Sequence, residues 1–409
     1  MQKCLMIKYS QFKLNILTYK IMKIIAIANL IPAKNKNGAQ LVSYQRLNRM
    51  SELGYSIDLV CFKSKNQKDD HKAKQILEKK GIHVHFISIN IYEAFFNLLK
   101  AFIINGLPLQ CALFKSKKFT KKIKDILRIK KIEAIYCVMI RVTPNISWYK
   151  GKLLIEMIDS MGLNFLRRYK TAKGLKKWIF KKEQEKVSIY EKKLADKSHC
   201  SFVVSDIDRK HINSLKIKVI PLGVNVSNKN RKVRIKPVII FTGNMYYQPN
   251  IDAVTWFTKN CWPKILQEEQ QAKFFIVGNN PSTSILSISK KYSSIKVMGN
   301  VPSIIDKLNK ATVAIAPMQS GSGMQIKILE AMSCAIPVVT SNIGLGDLKA
   351  VPGKDLLIAK TADDFSKKVI SLIQSRKYNE LIGSKGQKYI LQNHNWDYHN
   401  QKFISFIKN

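Results

Sequence analysis

Short apolar runs alternate along this chain with segments whose apolar residues recur every three or four positions. The runs 24–28, 57–62, 84–89, 134–138, 153–158 and 202–204 predict strands, and periodic stretches near 40–53, 70–80, 92–104 and 118–130 predict helices between them. Runs that are apolar throughout suit strands buried on both faces, so the first half predicts a parallel sheet covered by helices on each side. Residues 173–196 predict a long charged helix, solvated on one side. The second half repeats the logic with strands at 238–242, 273–277, 295–298, 313–316 and 337–340, and 394–408 predicts a last helix. A chain of 409 residues fits two domains. The expected fold class is α/β, with two doubly wound parallel-sheet domains whose strand ends share a cleft. The polar run Asn228-Lys229-Asn230-Arg231-Lys232, between Pro221 and Pro237, marks a linker. The expected divisions are a leader at 1–21 outside the fold, a first domain at 22–222, a linker at 223–236, a second domain at 237–392 and a terminal helix at 393–409.

The stretch Pro317 to Thr340, PMQSGSGMQIKILEAMSCAIPVVT, condenses this pattern into one βαβ unit. Pro317 stops the strand Val313-Ala314-Ile315-Ala316, and Gly321, Ser322 and Gly323 permit a tight turn. A helix is expected from about Met324 to Cys334, with Ile326, Leu329 and Met332 at core spacing. Free amides at Ser322, Gly323 and Met324, at the positive end of the helix dipole, suit a diphosphate. Glu330 lies eight residues past Ser322, roughly 12 Å along the axis, about the reach from a diphosphate to its ribose. A carboxylate there can accept hydrogen bonds from sugar hydroxyls. The same residues also fit a helix needing no ligand: Ser322 with Gln325 forms a capping box, and Glu330 is then a surface acid or the partner of Lys327.

This stretch resembles the donor-binding signature of glycosyltransferase family 4, retaining enzymes of the GT-B fold. The match is to members whose signature runs glycine, small residue, glycine, then Lys-x-x-Glu-Ala-Met. It extends upstream through Phe241-Thr242-Gly243-Asn244-Met245, Tyr247, Pro249-Asn250, Trp256-Phe257 and Pro263, and onward through Ile276-Val277-Gly278 and Gly299-Asn300-Val301. The first half matches more loosely, at Met22-Lys23-Ile24, Gly38, Gly54 and the hinge Pro221-Leu222-Gly223-Val224. About residues 22–400 are covered, and the likeness is to sugar transferases of bacterial exopolysaccharide loci.

The resemblance implies an acceptor-binding first domain and a second domain that binds a nucleotide-diphosphate sugar as co-substrate. Donor contacts fall to Gly38, Gly243, Asn244, Gly321, Ser322, Gly323, Met324, Lys327 and Glu330. No metal, no further cofactor and no covalent enzyme nucleophile are implied, and the departing phosphate takes the acceptor proton. Asp159 and Arg141, which follow apolar strands, are the expected catalytic residues at the cleft edge. A carboxylate there suits acceptor hydroxyls and an arginine suits a phosphate, although a cap and a structural ion pair are the plain alternatives. Two departures stand out. Ser322 occupies the place of a glutamate that meets the donor sugar in many members, and the Arg…Lys pair many place after the first strand of this domain is absent. Lys327 is the residue expected to supply part of that charge. The one Asp-x-Asp, Asp206-Ile207-Asp208, reads as a helix start after Ser205, and His211 and His394 read as bystanders.

Composition adds a partner. Seventy basic against 27 acidic residues give a formal charge of +43. That excess implies an anionic membrane surface, a nucleic acid or phosphorylated substrates, or reflects a lysine-favouring bias alone. The membrane is the partner expected, at the inner face of the cytoplasmic membrane. A nucleic-acid binder would need a basic stripe interleaved with aromatics, which the chain lacks. Phe95, Phe96, Leu98, Leu99, Phe102 and Ile103, followed by Lys115, Lys117, Lys118, Lys121 and Lys122, read equally as an interfacial anchor or a buried helix. Seven scattered cysteines lack metal spacing and suit a reducing compartment. The expected function is transfer of a sugar to a glycan or lipid-linked acceptor in cell-surface polysaccharide synthesis. An inactive paralogue of the same fold and a sugar-nucleotide epimerase are the rivals.

Overall fold

The computed structural model describes residues 22–34, 38–104, 106–226, 237–320 and 324–408. The leader at 1–21 and most of the expected linker lie outside the described residues. Seven parallel strands form the first sheet: β1 (Lys23–Ala28), β2 (Ser56–Phe62), β3 (Ile82–Ile87), β4 (Ala134–Val138), β5 (Lys152–Ile158), β6 (Cys200–Val203) and β7 (Ile217–Val219), in the order β3-β2-β1-β4-β5-β6-β7. Six parallel strands form the second: β8 (Val238–Thr242), β9 (Lys273–Val277), β10 (Ile295–Met298), β11 (Val313–Ala316), β12 (Val338–Thr340) and β13 (Leu357–Ile358), in the order β10-β9-β8-β11-β12-β13. This is the expected pair of doubly wound α/β units, the GT-B arrangement. In each sheet the order reverses beside the first strand, at β1/β4 and β8/β11, and ligands of such sheets bind outside the strand ends at that point.

Continuous burial explains the strands. β4 and β8 are buried at every position, as strands covered on both faces must be. Alternation then sorts the second sheet's side chains: Val238 and Ile240 join one apolar cluster, while Ile239 and Phe241 join Phe257, Trp262 and Phe274 in another on the opposite face. β3 starts and ends two residues earlier than expected. Its sequence, Ile82-His83-Val84-His85-Phe86-Ile87, interrupts the apolar run with histidines on one face of an edge strand.

Elements without a sequence counterpart include the 3-10 turn Ile140–Ile146, the helix Met161–Thr171 and the two short strands β7 and β13. The helix expected from Met324 begins at Ile326, with Gln325 still extended at φ −82° and ψ 98° and making no side-chain cap. The capping box with Ser322 therefore does not describe its start. Ser205 does cap the helix Asp206–Ile212 by accepting from the Asp208 amide, the helix start read from Asp-x-Asp.

The terminal helix Trp396–Lys408 returns to the first sheet. Phe403 is fully buried against Tyr136 and Phe202, with ring centroids 5.3 and 4.9 Å apart. His394 is no bystander here: its Nδ1 lies 2.7 Å from the Leu222 carbonyl oxygen, and its own carbonyl accepts from the Val224 amide at 2.9 Å. The crossing is thereby fixed to the hinge. The described cysteines, Cys61 to Cys334, are all buried and free.

Candidate functional site

Two helices from opposite domains begin at one place. Gly38 opens the helix Gly38–Glu52, and a Cβ on it would lie 3.4 Å from Ile326 Cδ1, the first residue of the helix Ile326–Ser333. A cleft of ≈ 320 Å³ opens there, lined by Gly38, Arg141, Asp159, Met324 and Ile326 among others. Gly38, Met324, Arg141 and Asp159 are thus brought together. The turn Gly321, Ser322 and Gly323 lies outside the described residues. Gly243, Asn244, Lys327 and Glu330 do not line this cleft; they belong to the layer of the second domain behind it.

That layer is built around a glycine turn after β8. Gly243 has φ +158° and Gly278 has φ +155°, and a Cβ on Gly278 would overlap the Gly243 carbonyl oxygen. The two turns are pressed together, so Gly278 does not tolerate a side chain, while a Cβ on Gly243 would meet Asn250 Nδ2 at 2.8 Å. Asn250 Nδ2 donates to the Asn244 carbonyl at 2.9 Å, and Lys327 Nζ donates to Asn250 Oδ1 at 2.6 Å. Lys327 also sits 4.4 Å from the Phe241 ring centroid and 3.5 Å from Met318 Sδ. Its ammonium therefore tethers the Gly243–Asn244 turn to the helix Ile326–Ser333. Burial brings Lys327 down to about 7, with the Glu330 carboxylate opposing. Burial pushes Glu330 up to about 7 against the Lys327 cation. Both are thereby poised near neutrality.

The first domain supplies the other wall. Positive φ marks the residue just after β4, Met139 at 66°, and the last residue of β5, Ile158 at 70°. For a β-branched residue that conformation is strained, of order 1–3 kcal/mol, and such strain collects at functional sites. It aims the next residues at the cleft. Arg141 Nε donates to Gln110 Oε1 at 2.8 Å; burial lowers its pKa, and the Asp159 carboxylate favours its charge. Asp159 Oδ2 accepts from Asn164 Nδ2 at 2.9 Å.

Behind Asp159 sit two acids, Glu191, which the sequence did not single out, and Asp208, read there only as part of a helix start. Glu191 is fully buried and accepts from Ser160 Oγ, the Met161 amide and the Gly162 amide, at 2.8, 2.6 and 3.2 Å. Asp208 Oδ1 accepts from the Ser160 amide at 2.9 Å. His211 Nε2 lies 3.2 Å from Ser188 Oγ, against the same turn. The one signal for Glu191 in the sequence is its spacing: Glu183, Val187, Glu191 and Ala195 share a helix face that the structure buries.

Residues 236–375 match the family model described as "Glycosyl transferases group 1". The family match covers the second domain, and the two-domain α/β fold is that of GT-B structures, as the sequence resemblance implied. One relative, an uncharacterized 44.6 kDa protein in the cps region of Klebsiella pneumoniae, is 24% identical over 417 residues, 94% of this chain and 98% of that protein. Among solved structures, Anabaena Alr3699/HepE in complex with UDP and glucose is 13% identical with a TM-score of 0.66, over 95% of this chain and 99% of that one. TarM is 13% identical with a TM-score of 0.68, over 96% and 99%. Sucrose-phosphate synthase from Thermosynechococcus elongatus is 14% identical with a TM-score of 0.67, over 95% and 98%.

Proposed function

We propose that this protein is a retaining glycosyltransferase that moves a sugar from a nucleotide-diphosphate sugar to a glycan or lipid-linked acceptor at an anionic membrane face. The observation that carries the reading is the meeting of two helix N-termini, Gly38–Glu52 and Ile326–Ser333, at a cleft walled by Arg141 and Asp159. Two positive dipole ends and a guanidinium suit a leaving diphosphate without a metal. Glu330 holds the ribose hydroxyls, and Asp159 orients the acceptor hydroxyl. The bond from the anomeric carbon to the diphosphate oxygen breaks, and the acceptor oxygen bonds to that carbon on the same face. The acceptor proton goes to the departing phosphate. The cps-region relative supports a role in cell-surface polysaccharide synthesis, and the UDP complex of Alr3699/HepE makes UDP-sugars the first donors to try.

The test is a radiolabelled nucleotide-sugar panel, UDP-sugars first, incubated with the protein and membrane extract. Label should pass to the lipid-extractable or polymer fraction, and Asp159→Asn and Arg141→Ala should each lower turnover at least tenfold. Interconversion of the free nucleotide sugar with no transfer would mean an epimerase. Nucleotide binding with neither reaction would mean an inactive paralogue.

A further inference from the structure

The helix Ile91–Ile103 is reversed relative to an ordinary surface helix. Its buried residues are the small Ala94 and Ala101, seven apart. Tyr92, Phe95, Phe96, Leu99, Phe102 and Ile103 are exposed, Tyr92 at 80%, Phe96 at 66% and Ile103 at 69%. These six recur at i, i+3, i+4, i+7, i+10 and i+11, so they form one face, opposite the alanines. The sequence allowed an anchor or a buried helix; the structure turns the aromatic face outward. A second element joins it. Leu175 and Trp178 are exposed at the start of the helix Gly174–Lys197, and the Trp178 and Phe102 rings meet edge to face with centroids 6.4 Å apart. Lys186 Nζ donates to the Ala101 carbonyl at 3.0 Å and fixes the two helices together. A contiguous apolar face of this kind marks an interaction site.

Its flanks say what it meets. Beside it lies a hollow of ≈ 450 Å³ whose walls include Lys115, Lys117, Lys121, Lys124 and Arg128. Glu93 and Asn97 close its edge: Glu93 Oε1 accepts from the Lys117 amide at 2.8 Å, and Asn97 Nδ2 donates to the Lys115 carbonyl at 2.9 Å. Asp125 is the other carboxylate on the wall. Lys173, Lys176 and Lys177, all exposed, surround Leu175 and Trp178 on the other side. An aromatic face between two lysine clusters is complementary to anionic lipid. A second copy of this chain would instead set +43 against +43.

We propose that this face is the membrane contact: Tyr92, Phe95, Phe96, Phe102 and Trp178 enter the boundary between headgroups and acyl chains, and the Lys115–Arg128 hollow receives the phosphates of anionic lipids. The proposal rests on the reading of the protein as acting at an anionic membrane, and assigns that contact to one surface. The full chain is sedimented with vesicles of phosphatidylcholine alone or containing phosphatidylglycerol. Binding to the anionic vesicles should be at least tenfold stronger and should weaken with salt. Phe95→Ser with Phe96→Ser should lower it about tenfold or more. Lys121→Glu with Lys124→Glu should lower it similarly and flatten its salt dependence. Quenching by brominated lipids should shrink in Trp178→Phe.

Calorimetry with UDP on each variant runs alongside, so that failure of the cleft and failure of this surface are read separately. Variants that bind vesicles as the wild type does would overturn the surface while leaving the membrane reading in place. A wild type that ignores lipid charge would overturn both. A concentration-dependent dimer dissolved by the Phe95 and Phe96 changes would assign the face to a second copy and overturn the proposal.

Discussion

Gly278 has no room for a side chain, because a Cβ there would occupy the Gly243 carbonyl oxygen at a backbone φ of +155°. Gly278→Ala should therefore destabilise the protein by about 2 kcal/mol or more, read from the urea midpoint, and disturb the turn that Lys327 and Asn250 hold. A loss under about 0.5 kcal/mol, the range of an ordinary surface change, would mean that the two turns are not pressed together. Glu330 makes a different prediction. Its folded pKa, about 7, stands above its ordinary 4.5. The unliganded protein therefore loses stability from this group as pH rises from about 4.5 to about 7. Glu330→Gln should remove that decline and weaken nucleotide binding by roughly 1–3 kcal/mol. Unchanged nucleotide affinity by calorimetry would retire Glu330 from the ribose. Such residues were legible because the chain announces them locally, by a strand end or a glycine turn. The load on Lys327 was not legible: its partner Asn250 is 77 positions away, and nothing in the Lys-x-x-Glu spacing points to it.

At the scale of elements, the helix Gly174–Lys197 is solvated on one side, as its composition suggested, and its buried face acts as a strut. Glu183 Oε1 accepts from the Leu109 amide at 2.7 Å at the start of the helix Leu109–Leu113, whose Gln110 holds Arg141. Eight residues on, Glu191 caps the helix Met161–Thr171, which begins just after Asp159. Each acid supplies the acceptor that a helix N-terminus needs, and together they set both expected catalytic residues. This also explains why Met161–Thr171 was missed: much of its cap arrives from 30 positions away. Burial lifts Glu191 to about 7, overriding three hydrogen bonds that favour its charge. The group thus stays protonated in the folded protein after it would ionise in the unfolded chain. Stability falls as pH rises from about 4.5 to about 7 and then levels, by up to roughly 3 kcal/mol. Glu191→Gln should lose that slope in urea titrations at about pH 5 and about pH 8. A slope equal to the wild type's would place the titration elsewhere.

The whole molecule is closed by its last helix, and the closure depends on a buried charge pair and an amide partner from three distant segments. Arg46, from the helix Gly38–Glu52, places Nε 3.3 Å from Glu156 Oε2 on β5 and donates from Nη1 to Asn400 Oδ1 at 2.8 Å in the terminal helix. Its guanidinium lies over the rings of Phe403 and Trp396, 4.8 and 5.9 Å from their centroids. Arg46 and Glu156 are 1% and 0% exposed. Burial raises the Glu156 pKa while Arg46 opposes it, and Glu156 Oε1 has no hydrogen-bond partner among the described residues. The periodicity of 394–408 announced a helix, and the resemblance covered most of the chain. Neither could name this lock, whose members are 110 and 354 positions apart. A buried pair of this kind is expensive to break and cheap to replace, because removing one partner strands the other's charge. Arg46→Leu should therefore destabilise the protein by about 3–5 kcal/mol. The double change, Arg46→Leu with Glu156→Leu, should recover most of that loss, since two apolar side chains leave no orphaned charge. Urea unfolding of the two variants checks this, with the release of the terminal helix followed by proteolysis. If the double variant were as unstable as the single one, the contribution of Arg46 would lie in its stacking on Phe403 and Trp396 rather than in the charge it shares with Glu156.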